Sequence, residues 1–230
     1  MGKLSRGILR WSLKALVFLL LSGSAIFLSA GKLDWREGQV FLGLLVFIQL
    51  LNLAVLAVVD PDLLLERSDV QEGTKPWDRV LVRIVALLGP LVTIVAAGLD
   101  ERWSWSPPFP TWLWLLGIGL ALLGSVLGLW AMTTNHFFSG TVRIQSERGH
   151  HVVSSGPYRF VRHPGYAGGL LFDLAAPLAL ASWWALLPAV ITVAFLGLRT
   201  WLEDQTLLNE LDGYRGYAQR VRFRLLPGIW

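Results

Sequence analysis

The densest group of polar, aromatic and glycine residues lies between positions 149 and 169. It includes His150, His151, His163, Tyr158, Arg159, Arg162 and Tyr166, with glycines at 149, 156, 165, 168 and 169. Histidines can transfer protons, and tyrosine rings can stabilise a cation. Pro164, near the start of the next helix, leaves neighbouring amides free for a ligand. The glycines admit either a ligand or a second helix at close range, and both interpretations stay open.

A second group of ionisable residues follows at Arg199, Glu203 and Asp204, with Tyr214 and Tyr217 further on. Arg199 and Glu203 are four residues apart and therefore share one helical face. They could form an ion pair at the membrane interface, with the arginine stem lying along apolar surface. Alternatively, a carboxylate pair and an arginine line a pocket that opens to the cytoplasm.

The elements that must position these groups are membrane helices. Of the 230 residues, 54% are hydrophobic and 16% are charged, which is far more apolar surface than a soluble domain needs. Apolar runs of helical length predict an all-α, polytopic membrane bundle with about six spans. The runs cover 8–30, 40–59, 80–99, 111–132, 168–181 and 183–202. Only Ser182 separates the last two, which indicates a tight helical hairpin.

The charge pattern sets the orientation and the organisation of the chain. Every Lys and Arg except Lys32, Arg36 and Arg102 falls at one set of span ends, which predicts an integral membrane protein with both termini in the cytoplasm, in the inner membrane if the cell is bacterial. No nucleic-acid partner is expected, because the basic residues flank apolar runs. We divide the chain into four N-terminal spans (1–132, with a cytoplasmic loop at 60–79) and a catalytic region (133–230). The catalytic region comprises a cytoplasmic loop (133–166), the hairpin (167–202) and an amphipathic cytoplasmic tail (203–230).

The order of the motifs resembles the isoprenylcysteine carboxyl methyltransferase family and its phospholipid methyltransferase relatives. The first motif is Gly156-Pro157-Tyr158-x-x-Val161-Arg162-His163-Pro164-x-Tyr166-x-Gly168. The hairpin, Arg199-x-x-x-Glu203-Asp204, Tyr214-x-x-Tyr217 and Arg224-x-x-Pro227 then follow in that order. Asp204 departs from the pattern, since glutamate is usual there, and Asp173 has no place in it.

The resemblance implies an S-adenosylmethionine-dependent methyltransferase that acts at the membrane on a lipophilic small molecule or lipid-modified acceptor. It implies catalytic roles for Arg199 and Glu203. It also implies a set of cofactor-binding residues: Gly156, Tyr158, Arg162, His163, Pro164, Tyr166, Gly168, Glu203, Asp204 and Tyr217. Methylation of a carboxylate oxygen is favoured, because a carboxylate with a pKa of about 3.5 is already ionised at neutral pH and needs no general base.

Two alternative activities stay open. A phospholipid or amine N-methyltransferase would need a base, for which His136, His150, His151 and His163 are candidates. An NADPH-dependent membrane reductase of the sterol type has a similar Arg-His-Pro-x-Tyr-x-Gly signature, but an acidic residue usually follows where this chain has Gly169. No metal site is expected, since adjacent histidines without further ligands are weak evidence. The methyltransferase hypothesis requires the segment around His163 and the segment around Glu203 to meet in one cavity.

Overall fold

The computed structural model describes residues 3–68 and 71–230, without the side chains of Lys3 and Leu4. The first two residues of the predicted 1–132 segment, and residues 69 and 70 of the predicted 60–79 loop, lie outside the described residues. All regular structure within the described ranges is helical. The helices are α1 (Lys3–Ala30), α2 (Arg36–Val59), α3 (Pro61–Arg67), α4 (Pro76–Arg83), α5 (Gly89–Trp103), α6 (Thr111–Thr134), α7 (Pro164–Ala179), α8 (Leu186–Glu210) and α9 (Tyr214–Arg220).

In the part of the chain that the structure describes, five helical segments are long and apolar enough to cross a membrane: Ser5–Ala30, Arg36–Val59, Pro76–Trp103, Thr111–Thr134 and Leu186–Glu210. The third is continuous because a π-helical segment, Ile84–Leu88, joins α4 to α5. Only 17% to 28% of the most apolar window of each segment is buried, so most of its hydrophobic surface faces outward. Val58, for example, is 82% exposed. Lipid is the solvent that such surfaces require, which confirms the prediction of an all-α membrane bundle.

Helix α7 is shorter, with 16 residues, yet it connects the two ends of the bundle. At its C-terminal end, the carbonyl of Ala179 accepts a hydrogen bond from Trp114 Nε1 (3.0 Å), near the start of α6. Ser182, in the turn that follows, donates to Asp100, near the end of α5 (2.5 Å). The predicted hairpin is therefore formed by α7 and α8, and its turn packs beside the far ends of α5 and α6. A membrane count of six spans stays a prediction.

Glycines allow α6 and α7 to pack with their backbones almost in contact. A Cβ atom placed on Gly168 would lie 2.5 Å from the carbonyl oxygen of Gly124, and one on Gly124 would lie 2.5 Å from that of Gly168. Real Cβ atoms do not approach backbone this closely, so both positions require glycine. Helix packing therefore accounts for Gly168, while its predicted contact with a cofactor stays a prediction.

The C-terminal segment closes over the 135–163 loop. Helix α8 continues through Glu203 to Glu210, so the first part of the predicted tail is the end of the second hairpin arm. The chain turns at Gly213, which has φ of 80°. After α9, the backbone N–H groups of Arg162 and His163 donate to the carbonyls of Phe223 and Arg224, each at 2.9 Å. These bonds fix the His163 segment against the tail.

Candidate active site

A cavity of about 480 Å³ runs between the helices, a volume within the range of small-molecule sites. Its lining differs from one part to the other. The polar end, beside the 135–163 loop, includes His163, Tyr166, Glu203, Tyr214 and Tyr217. The apolar part, deeper in the bundle, includes Phe41, Leu45, Ile48, Ile94 and Phe172. One continuous space therefore offers ionisable groups to one portion of a ligand and hydrocarbon surface to the rest.

The two motif segments meet at the polar end, as the sequence argument requires. Nδ1 of His163 lies 4.0 Å from Oε1 of Glu203. The Tyr166 hydroxyl donates a 2.5 Å hydrogen bond to Oε2 of the same carboxylate. The rings of His163 and Tyr166 stack with centroids 5.8 Å apart and an angle of 11°. The Glu203 side chain, 23% exposed, thus stands beside two parallel rings and faces the cavity.

Asp204, the next residue, has no solvent exposure and lies behind the cavity lining. Arg162 donates to both of its oxygens (2.8 and 2.9 Å), while Tyr214 and Arg224 donate at 2.9 and 2.8 Å. Nε2 of His163 lies 3.2 Å from Oδ1 and completes what we term the Asp204 cluster. An ionised carboxylate has about four acceptor positions, and these donors occupy them. Asp204 therefore holds other site residues in place, and its predicted contact with a cofactor stays a prediction.

The charge of Asp204 is balanced within this cluster. Burial disfavours the charged guanidinium of Arg162, but the hydrogen bonds and charge of Asp204 outweigh that effect and raise the pKa of Arg162. Burial, together with the nearby carboxylate, raises the pKa of Tyr214. The tyrosine hydroxyl thus stays protonated and the arginine stays charged at neutral pH. Both groups remain donors to Asp204.

Arg199 pairs with a carboxylate from a distant part of the chain instead of with Glu203. Its Nε and Nη2 donate to the two oxygens of Asp78 at 2.7 and 3.2 Å, and Nη2 also donates to the carbonyl of Gly140. The guanidinium lies 5.1 Å from the centre of the Tyr166 ring. Asp78, fully buried, also accepts a hydrogen bond from the backbone N–H of Val142. Arg199 thus lines the cavity in a fixed orientation.

Sequence reasoning missed Asp78 as part of this site. The available signal was a carboxylate at the start of a membrane helix, in Lys75-Pro76-Trp77-Asp78. Such a buried charge needs a partner. The partner could not be identified from sequence, because 121 positions separate Asp78 from Arg199.

The other predicted site residues fall into two groups. Tyr158, Arg162, His163, Tyr166, Gly168, Arg199, Glu203 and Tyr217 line the cavity, whereas Gly156, Pro164 and Asp204 do not. Gly156 has φ of 53° and occupies a turn against Thr134, and Pro164 opens α7. Among the candidate bases, His150, His151 and His163 line the cavity. His136, with 67% of its side chain exposed, instead pairs with Asp60. No three metal-ligating side chains converge anywhere in the described ranges.

Fold and site together define a class of protein: a polytopic helical membrane protein with a cavity that is ionisable at one end and apolar at the other. The model of the isoprenylcysteine carboxyl methyltransferase (ICMT) family matches residues 116–209. Protein-S-isoprenylcysteine O-methyltransferase B of Arabidopsis thaliana is 29% identical over 146 residues, which cover 61% of this chain and 70% of the relative. The cobalt-zinc-cadmium resistance protein CzcN of Cupriavidus metallidurans is 32% identical over 146 residues, covering 57% and 58% of the two chains.

A solved structure has the same fold. The eukaryotic intramembrane Ras methyltransferase ICMT superposes with a TM-score of 0.63 at 21% identity, over 94% of this chain and 75% of that one. The family model, the curated relatives and the shared membrane fold together support the isoprenylcysteine carboxyl methyltransferase family for this chain and a membrane methyltransferase as its class of enzyme.

Proposed function

We propose that this protein transfers a methyl group from S-adenosylmethionine to the carboxylate of a lipophilic acceptor, from a site reached from the cytoplasm. The observation that carries the proposal is one continuous cavity with Glu203 at its polar end and Phe41, Leu45 and Ile48 in its apolar part. The distribution of Lys and Arg supports an orientation with both termini in the cytoplasm.

The residues at the polar end fit a sulfonium compound. When bound, S-adenosylmethionine supplies a methyl group on a positively charged sulfur, which becomes a neutral thioether after transfer. Tyr166 occupies one oxygen of Glu203, and the other oxygen is available to attract a cation. The rings of Tyr166, Tyr214 and Tyr217 border the same space and can add cation–π stabilisation. We assign cofactor binding to these residues together with His163.

The protein's contribution to catalysis is positioning. Methyl transfer requires the nucleophilic oxygen, the methyl carbon and the sulfur to be held in line, and this can supply much of the rate enhancement. The Asp204 cluster and the Asp78–Arg199 pair fix the polar wall from behind. The apolar part excludes water, which strengthens each electrostatic contact inside. No residue needs to remove a proton from the acceptor, because a carboxylate is ionised at neutral pH.

The lipophilic acceptor is supported by the relatives and by the cavity. The Arabidopsis thaliana relative is named for methylation of protein-S-isoprenylcysteine, a lipid-modified carboxylate. An acceptor of this kind would place its hydrocarbon among Phe41, Ile94 and Phe172 and its carboxylate toward the polar end. Similarity to the isoprenylcysteine carboxyl methyltransferases favours methyl transfer over NADPH-dependent reduction. No structural observation favours either alternative activity.

The test of cofactor binding uses Glu203→Gln with Glu210→Gln as a matched control on the same helix. Glu210 pairs with Lys75 at the surface, where ion pairs contribute little. In isothermal titration of purified protein, Glu203→Gln should weaken S-adenosylmethionine binding by about 10-fold or more, as expected for loss of a charged contact. Glu210→Gln should bind like the wild type. Equal affinity in the Glu203 variant would contradict this assignment.

The test of the reaction uses N-acetyl-S-farnesylcysteine and methyl-tritiated S-adenosylmethionine. A methyl ester releases labelled methanol in alkali, whereas an N-methyl product does not. Alkali-labile counts that depend on wild-type protein support carboxylate methylation. Stable counts on added phosphatidylethanolamine instead would support the amine alternative.

A further inference from the structure

Among the described residues, four arginines line the cavity, and they differ in whether a carboxylate lies close enough to neutralise them. Arg143, Arg162 and Arg199 each contact a buried carboxylate: Arg143 reaches Glu66 at 2.9 Å, Arg162 reaches Asp204 at 2.8 Å and Arg199 reaches Asp78 at 2.7 Å. The fourth, Arg67, has no carboxylate within ion-pair distance in the part of the chain that the structure describes. The cavity wall thus includes one cation whose charge no described residue neutralises.

Arg67 is the last residue of α3, and its position is fixed by Phe138. Its Nη1 donates to the Phe138 carbonyl at 3.1 Å, and its guanidinium lies 5.3 Å from the centre of the Phe138 ring. A guanidinium carries five N–H donors in a rigid fork, so most of its hydrogen-bonding capacity is not used by this contact. Burial, reinforced by the positive charge of Arg199, lowers the pKa of Arg67 to about 10. Arg67 nevertheless remains charged at neutral pH.

Arg67 is partly buried, and no carboxylate among the described residues neutralises it. A cation in such a position is costly in free energy, whereas an anionic ligand would reduce that cost on binding. Arginine is also the side chain best suited to bind a carboxylate through two parallel hydrogen bonds. We propose that Arg67 binds the carboxylate of the methyl acceptor. This inference rests on the proposed function, and it extends the acceptor site to α3, outside the 156–227 region that contains the motifs.

The surroundings of Arg67 favour the acceptor over the amino-acid carboxylate of S-adenosylmethionine, although the same fork could bind either. Arg67 is adjacent to an apolar cluster in which buried Leu63 and Leu64 pack with Met132 and Phe138. Met132 and Phe138 also line the cavity. An amphipathic acid can therefore place its head group on Arg67 while its hydrocarbon contacts apolar side chains on both sides.

The experiment compares wild type with Arg67→Met, Arg67→Lys and a control, Arg159→Met. Arg159 is exposed and outside the cavity lining. Binding of N-acetyl-S-farnesylcysteine and of its methyl ester is measured by titration in lipid nanodiscs without turnover, and dodecanoate and its methyl ester serve as a second pair. Arg67→Met should bind each acid at least about 10-fold more weakly, with ester binding unchanged. Arg67→Lys should restore part of the affinity because it keeps the charge without the fork.

Several results would overturn the inference. One is a wild-type protein that binds acid and ester equally in both pairs, and another is unchanged acid binding in Arg67→Met. A third is a large fall in melting temperature for Arg67→Met without ligand, because an uncompensated charge should not stabilise the empty protein. If Arg67→Met bound S-adenosylmethionine more weakly but bound its decarboxylated form as the wild type does, Arg67 would bind the carboxylate of the cofactor and not that of the acceptor. A wild type that binds the acids but no S-adenosylmethionine would instead refute the proposed function alone.

Discussion

The neighbouring carboxylates Glu203 and Asp204 should respond to substitution in opposite ways. Asp204 neutralises Arg162 and Arg224 and accepts from Tyr214, all within the protein, whereas Glu203 faces the cavity. The variant Asp204→Asn keeps the shape but removes the charge, so two guanidinium groups lose their shared counter-ion. Asp204→Asn should therefore lower the stability of the protein, whereas Glu203→Gln should mainly lower its affinity for S-adenosylmethionine.

The expected magnitude follows from burial. Removing one partner of a buried ion pair costs about 3–5 kcal/mol. The lower end applies here, because the Arg224 side chain is 23% exposed and asparagine keeps one acceptor oxygen. For a chain of this length, about 3 kcal/mol corresponds to a fall in melting temperature of about 6–12 °C. Glu203→Gln loses only the charged character of one bond to Tyr166 and should lower the melting temperature by less than about 4 °C.

Two measurements separate these effects. Thermal unfolding of purified protein in detergent gives the stability of each variant. Titration with S-adenosylmethionine, at a temperature where every variant is folded, gives its affinity for the cofactor. Asp204→Glu, which keeps the charge, should be intermediate in stability. The reasoning is refuted if Asp204→Asn melts within about 2 °C of wild type while its cofactor affinity falls as far as that of Glu203→Gln. That result would mean that Asp204 contacts the ligand directly.

Two further predictions concern helix packing and pH. Gly168→Ala should destabilise the protein by about 1–3 kcal/mol, because the new Cβ would clash with the backbone of Gly124. In the control Gly169→Ala, the atom nearest to the new Cβ would lie 3.8 Å away. That variant should be neutral or slightly stabilising in the same melting assay. Burial, with the positive charges of His151, Arg143 and Arg148, lowers the pKa of His150 from 6.5 to about 4. Between these values only the unfolded chain binds the proton, so stability should fall by about 1–2 kcal/mol from pH 7 to pH 4, and His150→Phe should reduce that fall. An equal pH dependence in wild type and His150→Phe would contradict the assignment.

Much of the fold was predictable, because membrane insertion depends on local composition. A run of about 20 apolar residues must form a helix in lipid wherever it lies in the chain. The predicted run at 111–132 corresponds to α6, and the two runs separated by Ser182 correspond to the hairpin of α7 and α8. The predicted boundary at 203 falls within α8, which continues to Glu210 because no glycine or proline lies between Glu203 and Gly213.

The sequence by itself determined the class of protein and the segments from which its site is built, since residue types and motif order are local properties. Only the tertiary structure decided which side chains face the cavity and which pair with one another. Glu203 and Asp204 are adjacent, but a helix turns about 100° per residue, so one faces the cavity and the other faces Arg162. Asp78 takes the role of partner to Arg199 that Glu203 could have had, and Arg67 is left without a carboxylate among the described residues. Such pairings depend on distances between helices that are remote in the chain, and those distances are fixed only when the bundle packs.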